Sequence, residues 1–404
     1  MMLSGLSPVF NQCLNDTPHA RRSSFTSDTA QTPLFIPYTA VRCPLSTIHC
    51  SVIVHPLALL EILSSKERSR SRVESIHYGK RSISDRDGMI IIRQGANHPF
   101  ETAFDDAQEI SARRFSLPKW VWKVQRLLGI GNEGRLQTAM QVIDSTVLSF
   151  ISESIERRAR GETSAGTAKN IVSLVLDSSD MKGEVDPELL RSIVIAAMVA
   201  GRDTSAQTLS WFIYMLSQHP EVESRVRNEM LKEIPRLTSE PGYFPTMEEV
   251  QSLTYLEAAI KETLRLYPAA SFNLKHCEED TFLLDSTFIP GEAQVGLPYY
   301  AMGRMVSIWG SDCEAYKPER FLDPETGKLV QMSPFKFNAF HAGPRICLGM
   351  NLAMLEMKIV VAGLLSRFHI SVEPDQEVTY VRSISLPMKN PFMVHIERVA
   401  APVA

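Results

Sequence analysis

Ser333-Pro334-Phe335-Lys336-Phe337-Asn338-Ala339-Phe340-His341-Ala342-Gly343-Pro344-Arg345-Ile346-Cys347-Leu348-Gly349 is the most informative segment of this chain. Its last ten residues fit Phe-x-x-Gly-x-Arg-x-Cys-x-Gly at all five fixed positions, a chance event with odds on the order of one in ten thousand in so long a chain. The residues after it are rich in Leu, Met and Ala, and predict a helix from about Gly349 to Phe368. A cysteine just ahead of a helix meets free N–H groups and the positive end of the helix dipole, which favour the thiolate. Gly343 and Gly349 let the backbone approach a flat partner closely. Arg345 offers a forked cation to a carboxylate. The competing account makes Cys347 an ordinary buried cysteine, the usual fate of a lone one. That account leaves the other four positions of the pattern without a reason.

The chain has 404 residues, 44% hydrophobic and 22% charged. This is enough for one large domain or two ordinary ones and argues against long disorder. A balance of 42 Lys+Arg against 46 Asp+Glu holds nothing to attract nucleic acid. Cys13, Cys43, Cys50, Cys277, Cys313 and Cys347 contain no Cys-x-x-Cys pair, which points to a reducing compartment rather than a disulfide framework. No His/Cys cluster has zinc-ligand spacing, and no flavin or nicotinamide fingerprint is present. The run from Leu45 to Leu63 is interrupted by His49, His55 and Glu61 and falls short of a membrane span. Arg21 and Arg22 among Ser and Thr faintly resemble a transit peptide, although any solvated tail has that composition. The basic stretch Lys66 to Arg72 reads as a solvated face.

From Pro99 onward the periodicity turns helical. Leu136, Met140, Ile143, Val147, Phe150 and Ser154 form one stripe. An apolar run covers Ile193 to Leu216, and another helix is expected over Met247 to Leu266, ended by Tyr267-Pro268. Short strands are expected at Thr281–Leu284 and Phe288–Ile289. The expected fold class is therefore mainly α with a minor β-sheet. Within the apolar run stands Ala200-Gly201-Arg202-Asp203-Thr204-Ser205. A mid-helix glycine costs about 1 kcal/mol and invites a functional reason. A carboxyl and a hydroxyl on an apolar helix suit proton delivery in a dry pocket, while Asp-Thr-Ser alone could be a helix cap. Glu262 and Arg265, three apart, share a helix face and read alone as a surface ion pair of little value.

The cysteine stretch resembles the heme-binding loop of the cytochrome P450 family, and the order Thr204, Glu262, Arg320, Cys347 is normal for it. The resemblance implies a cytochrome P450 fold with heme as cofactor and Cys347 as the axial ligand of its iron, whose electron donation favours O–O cleavage. Phe340, Gly343, Arg345 and Gly349 would line that cofactor, with Arg345 on a propionate. Asp203 and Thr204 would help deliver protons to bound dioxygen. Glu262 and Arg265 would join Arg320, from Tyr316-Lys317-Pro318-Glu319-Arg320-Phe321, in a structural lock behind the cysteine loop. In Pro268-Ala269-Ala270-Ser271-Phe272-Asn273-Leu274-Lys275, Lys275 stands where P450s that oxidise fatty acids and alkanes carry an arginine touching a propionate. Lysine supplies the charge without the bidentate fork. Ser333–Phe340 and, more loosely, Pro99-Phe100-Glu101-Thr102-Ala103-Phe104-Asp105-Asp106-Ala107-Gln108 are similar to the same branch.

The resemblance thus implies a monooxygenase acting on a small apolar substrate, lipid-like or of secondary metabolism. Its electrons would come from a separate NADPH-cytochrome P450 reductase at the cytosolic face of the endoplasmic reticulum membrane, with peripheral membrane association left open. The resemblance covers residues 98–404, the heme-binding domain; residues 1–97 read as a divergent N-terminal segment in place of the family's longer first half. Trp122-Lys123-Val124-Gln125-Arg126 matches the family's Trp-x-x-x-Arg by letters, but lies too close to Thr204 and reads as coincidence. Two other functions stay open. One is a degenerate heme-binding protein without turnover; the other is a P450-type isomerase or dehydratase, against which the Asp203–Thr204 pair argues.

Overall fold

The computed structural model describes residues 99–161, 186–240, 243–381, 383–390 and 392–399, with Val172, Val175 and Leu176 between them. It also gives the backbone of strands β1 (Ser82–Arg86) and β2 (Met89–Arg93), an antiparallel pair. The expectations for Arg21 and Arg22, for Leu45 to Leu63 and for Lys66 to Arg72 lie outside the described residues, as does most of the 1–97 segment. The described residues fall into two compact units, one within 147–195 and one formed by those up to Thr146 and from Ala196 on. All the candidate site residues belong to the second.

The principal helices are α1 (Pro99–Arg113), α2 (Lys119–Leu128), α3 (Gly131–Ala159), α4 (Pro187–Gln218), α5 (Pro220–Glu233), α6 (Thr254–Leu266) and α7 (Met350–Leu365). The strands after β2 are β3 (Asn273–His276), β4 (Thr281–Phe282), β5 (Phe288–Ile289), β6 (Gln294–Leu297), β7 (Phe368–Val372) and β8 (Val394–Arg398). They form antiparallel pairs β3–β6, with Lys275 opposite Val295, β4–β5 and β7–β8. The chain is mainly helical with small sheets, the expected class. Among the described residues no helix is long and apolar enough to cross a membrane.

Local chemistry explains several boundaries. Helix α5 starts on Pro220, whose missing N–H would be unpaired there anyway, with Glu221 and Glu223 in its first turn facing the dipole. The helix expected over Met247–Leu266 begins only at Thr254. Before it, Glu249–Ser252 makes a 3₁₀ turn in which Thr246 and Glu249 cap each other: the Thr246 N–H donates to Glu249 Oε2 at 2.8 Å and the Glu249 N–H to Thr246 Oγ1 at 3.2 Å. Helix α7 stops at Leu365, short of Phe368, because Phe368 starts β7. In α3 the buried face runs through Ala139, Ile143, Val147, Ile151 and Ser154, so the expected Phe150 is exposed instead. A step of four from Val147 holds the face better than a step of three.

The main core of the second unit gathers Leu209, Phe212 and Leu216 of α4, Val226 and Met230 of α5, Leu256, Ile260 and Leu264 of α6, Met357, Val361 and Leu365 of α7, and Phe368 and Ile370 of β7. Fully burying each large apolar chain contributes about 1.5–3 kcal/mol. Among the described helices α6 is the most fully buried. Ten of its thirteen residues are buried, Glu262, Thr263 and Arg265 among them. Buried charges require internal partners, and these partners tie the core to the cysteine loop.

Candidate active site

Three hydrogen bonds set the cysteine loop at the start of α7. The Cys347 N–H donates to Phe340 O at 2.8 Å, the Met350 N–H to Cys347 O at 3.4 Å, and the Ala353 N–H to Gly349 O at 2.8 Å. The Cys347 thiol is exposed, unlike most free cysteines. Its neighbours Ile346 and Leu348 are 43% and 103% exposed. The two glycines differ. Gly343 has φ +72°, where a side chain would be strained. Gly349 has an ordinary φ of −85°, and a Cβ there would only touch Cys347 Sγ at 4.0 Å. The backbone thus demands glycine at Gly343 and not at Gly349. Arg345 is exposed in the 3₁₀ turn Gly343–Arg345, and Lys275 is exposed on β3.

Behind the loop lies the charge cluster. Arg265 donates to Glu262 through Nε at 2.7 Å and Nη2 at 2.7 Å, and also to the carbonyls of Cys313 at 2.5 Å, Ala315 at 3.0 Å and Gly303. Arg320 Nε reaches the same carboxylate at 3.3 Å, and the Lys317 N–H donates to it at 2.8 Å. Arg320 further donates to the carbonyls of Trp309 and Asp312. The Glu262 and Arg265 side chains are 0% and 1% exposed, so this is no surface pair. A ladder of rings runs from the cluster to the loop: Trp309 to Phe321 at 6.2 Å, Phe321 to Phe337 at 5.0 Å edge-on, and Phe337 to Phe340 at 6.4 Å edge-on. Phe340, whose carbonyl holds Cys347, is therefore braced from the cluster.

On α4, Thr204 Oγ1 donates to Ala200 O at 2.7 Å, which leaves its oxygen able to accept. Val199, Ala200 and Gly201 are exposed, and a Cβ on Gly201 would meet nothing within 4 Å. Asp203 is buried and points elsewhere, because successive helical residues lie about 100° apart. Gln108 Nε2 of α1 donates to Asp203 Oδ2 at 2.5 Å; Arg202 Nη1 lies 3.6 Å from Asp203 Oδ1 and donates to Asp105 Oδ1 at 2.8 Å. Burial, with Asp203 and Glu101 nearby, holds the Asp105 carboxyl above the usual range despite Arg202. The carboxyl and hydroxyl expected to act together are thus neighbours in sequence whose side chains take different partners, Gln108 for one and the Ala200 carbonyl for the other.

Three further residues matter here that the sequence did not single out. Gln108 stands in a segment whose only signal is its resemblance. Tyr316, whose OH donates to Ala259 O at 2.9 Å and whose pKa burial drives far up, reads as any aromatic. His341 occupies an unspecified position of the motif, yet has φ +67° and a buried Nε2 with no hydrogen-bond partner among the described residues. Its pKa is held down by burial and by the charges of Lys275 and Arg345. As for Trp122, the guanidinium of Arg114 lies over its ring at 4.8 Å.

An exposed thiol ahead of a helix, apolar surface beside it, and cationic or unpaired donors nearby suit a flat, largely apolar group with carboxylates and a thiolate-binding iron. Fold and site define the class of heme-thiolate proteins. A family profile, Cytochrome P450, matches residues 76–394. The chain belongs to the cytochrome P450 family, whose cofactor is heme ligated by a cysteine thiolate. It is 36% identical over 312 residues to cytochrome P450 86B1 of Arabidopsis thaliana, covering 74% of this chain and 54% of that protein. It is 37% identical over 284 residues to cytochrome P450 94C1 of the same plant, covering 70% and 55%. Noroxomaritidine synthase 2 of Narcissus aff. pseudonarcissus MK-2014 is 34% identical over 306 residues, covering 74% and 58%. The chain spans a little over half the length of these curated relatives.

Proposed function

We propose that the protein is a heme-thiolate monooxygenase that inserts one oxygen atom of O₂ into a C–H bond of an apolar, lipid-like or secondary-metabolite substrate. The observation that carries this reading is the exposed Cys347 thiol beside Ile346 and Leu348 at the head of α7. When bound, heme supplies the chemistry of oxygen activation. The residues of this chain do the rest. Cys347 ligates the iron, with Phe340 bracing the loop and Gly343 and Gly349 shaping it. Arg345 and Lys275 meet the propionates. Thr204 accepts and passes protons near the exposed segment Val199–Gly201, and Asp203, whose carboxyl accepts a hydrogen bond from Gln108, is the acidic member of the pair. Glu262, Arg265 and Arg320 position the loop and touch no substrate.

Residues 98–404 form the heme-binding domain in this reading, with 1–97 as a divergent segment before it. Electrons come from NADPH-cytochrome P450 reductase at the cytosolic face of the endoplasmic reticulum. The resemblance to the fatty-acid and alkane branch favours a long-chain lipid as the first substrate to try. The test is the carbon-monoxide difference spectrum of purified protein, then the type I shift with fatty acids, then NADPH-dependent oxidation with added reductase. A thiolate-type spectrum with product supports the proposal. The same spectrum without NADPH-dependent product marks a heme binder without turnover, and product without NADPH marks an isomerase or dehydratase.

A further inference from the structure

His341 is held in one orientation and one tautomer. The Ala342 N–H donates to its Nδ1 at 2.8 Å, and the Tyr299 OH lies 3.0 Å from the same nitrogen. An Nδ1 that accepts a backbone N–H carries no proton, so the ring's proton is on Nε2. The Nε2 atom is buried with no partner among the described residues. Buried donors left unpaired are rare and call for a missing acceptor. The backbone at His341 is left-handed, φ +67°, a conformation that non-glycine residues keep only where the surroundings impose it. The Tyr299 ring packs edge-on to the imidazole, centroids 5.8 Å apart, which fixes the direction of Nε2 further. Two cations, Lys275 on β3 and Arg345 four residues ahead in the loop, act electrostatically on the same imidazole, so the acceptor expected there is an anion.

We propose that His341 is a third propionate-binding residue of this chain, its Nε2–H donating to a heme carboxylate that Lys275 and Arg345 also attract. The inference rests on the heme reading above and deepens it. It accounts for a departure from the family pattern: Lys275 lacks the rigid fork that an arginine would offer there, and a fixed neutral donor from the loop supplies the directed hydrogen bond that a rotating ammonium does not hold in place. Because a neutral imidazole adds direction without charge, it complements two exposed, flexible cations.

The test uses the full, heme-loaded chain, with heme loss to excess apomyoglobin as the readout. Wild type, His341→Phe and His341→Gln are each loaded with hemin and, separately, with hemin dimethyl ester, which has no free carboxylates. With hemin, His341→Phe should lose its cofactor roughly tenfold to a hundredfold faster than wild type, the range expected for a hydrogen bond to a charged group. His341→Gln, which restores an N–H at a similar reach, should recover most of that loss. With the dimethyl ester the three proteins should release at closely similar rates. Equal rates with hemin would overturn the proposal. A His341→Phe defect that persists undiminished with the dimethyl ester would overturn it too, because the histidine would then serve only the loop. Wild-type protein that takes up neither form would overturn the heme reading itself.

Discussion

Glu262→Ala tests whether the charge cluster behind the cysteine loop is structural. In the native protein this carboxylate, 0% exposed, accepts two hydrogen bonds from Arg265, one from Arg320 and one from the Lys317 N–H. Removing it leaves the Arg265 guanidinium, 1% exposed, without a counter-charge. Breaking one partner out of a buried pair costs about 3–5 kcal/mol. The carbonyls of Gly303, Cys313 and Ala315 still accept from Arg265 and soften the loss, which places the cost toward the lower figure. At about 2 °C per kcal/mol for a large domain, a cost near the lower figure should drop the melting temperature by roughly 6 °C. The loop should suffer as well, because Arg320 belongs to the Pro318–Phe321 turn and Phe321 stands in the ring ladder that runs on to Phe340. The assay is thermal melting by circular dichroism together with the ratio of heme to protein absorbance in the purified chain. Glu153→Ala, which breaks the exposed pair with Arg157, is the control and should leave both unchanged. A Glu262→Ala protein that melts and loads heme as wild type does would refute the reasoning, since the cluster would then carry no more than a surface salt bridge.

Cys347→Ala should abolish the thiolate-type carbon-monoxide spectrum and all NADPH-dependent product, whereas substitutions of Cys13, Cys43 or Cys50 should leave heme binding intact. Thr204→Ala removes one hydroxyl and should keep heme and substrate binding. With reductase present, NADPH consumption should continue while product falls by up to about 10²–10⁴-fold and hydrogen peroxide rises, and unchanged coupling of NADPH to product would remove Thr204 from proton delivery. Burial is the largest single influence on Glu257 and raises its pKa, but Lys261 and Lys358 together overcome it and hold the carboxyl below its ordinary 4.5. A depressed carboxylate stabilises the fold above its unfolded pKa and loses that contribution as pH falls through the folded one. The melting-temperature gap between wild type and Glu257→Gln, measured on heme-free protein, should therefore be full above about pH 4.5 and shrink below it; a gap independent of pH would refute the ion-pair account.

The motif around Cys347, the apolar run over Ile193–Leu216, and the stop at Tyr267-Pro268 were all legible in the sequence, because each is a local matter of spacing, periodicity or backbone sterics. The strands of the β4–β5 pair were legible for the same reason. The pair β3–β6 was not, since β3 exposes three of its four residues and carries no alternation to read. The Glu262–Arg265 spacing was visible from i and i+3, yet the sequence alone could not distinguish a solvated pair from one sealed in the core. Burial decides that, and burial is set by elements as distant in sequence as Gly303, Cys313 and Ala315. Gly349 fits the motif as well as Gly343 does, but only the backbone angle tells which of them needs to be glycine. For Asp203, sequence adjacency suggested a shared task with Thr204, and it was the packing of α1 against α4 that gave its carboxyl to Gln108. His341 could not have been singled out at all: its orphaned nitrogen arises from a local bond to Ala342, a ring contact with Tyr299, and the field of Lys275 from a strand more than sixty residues away. Spacing along the chain determines which groups are available, and three-dimensional packing decides which of them remain unpaired and so able to bind.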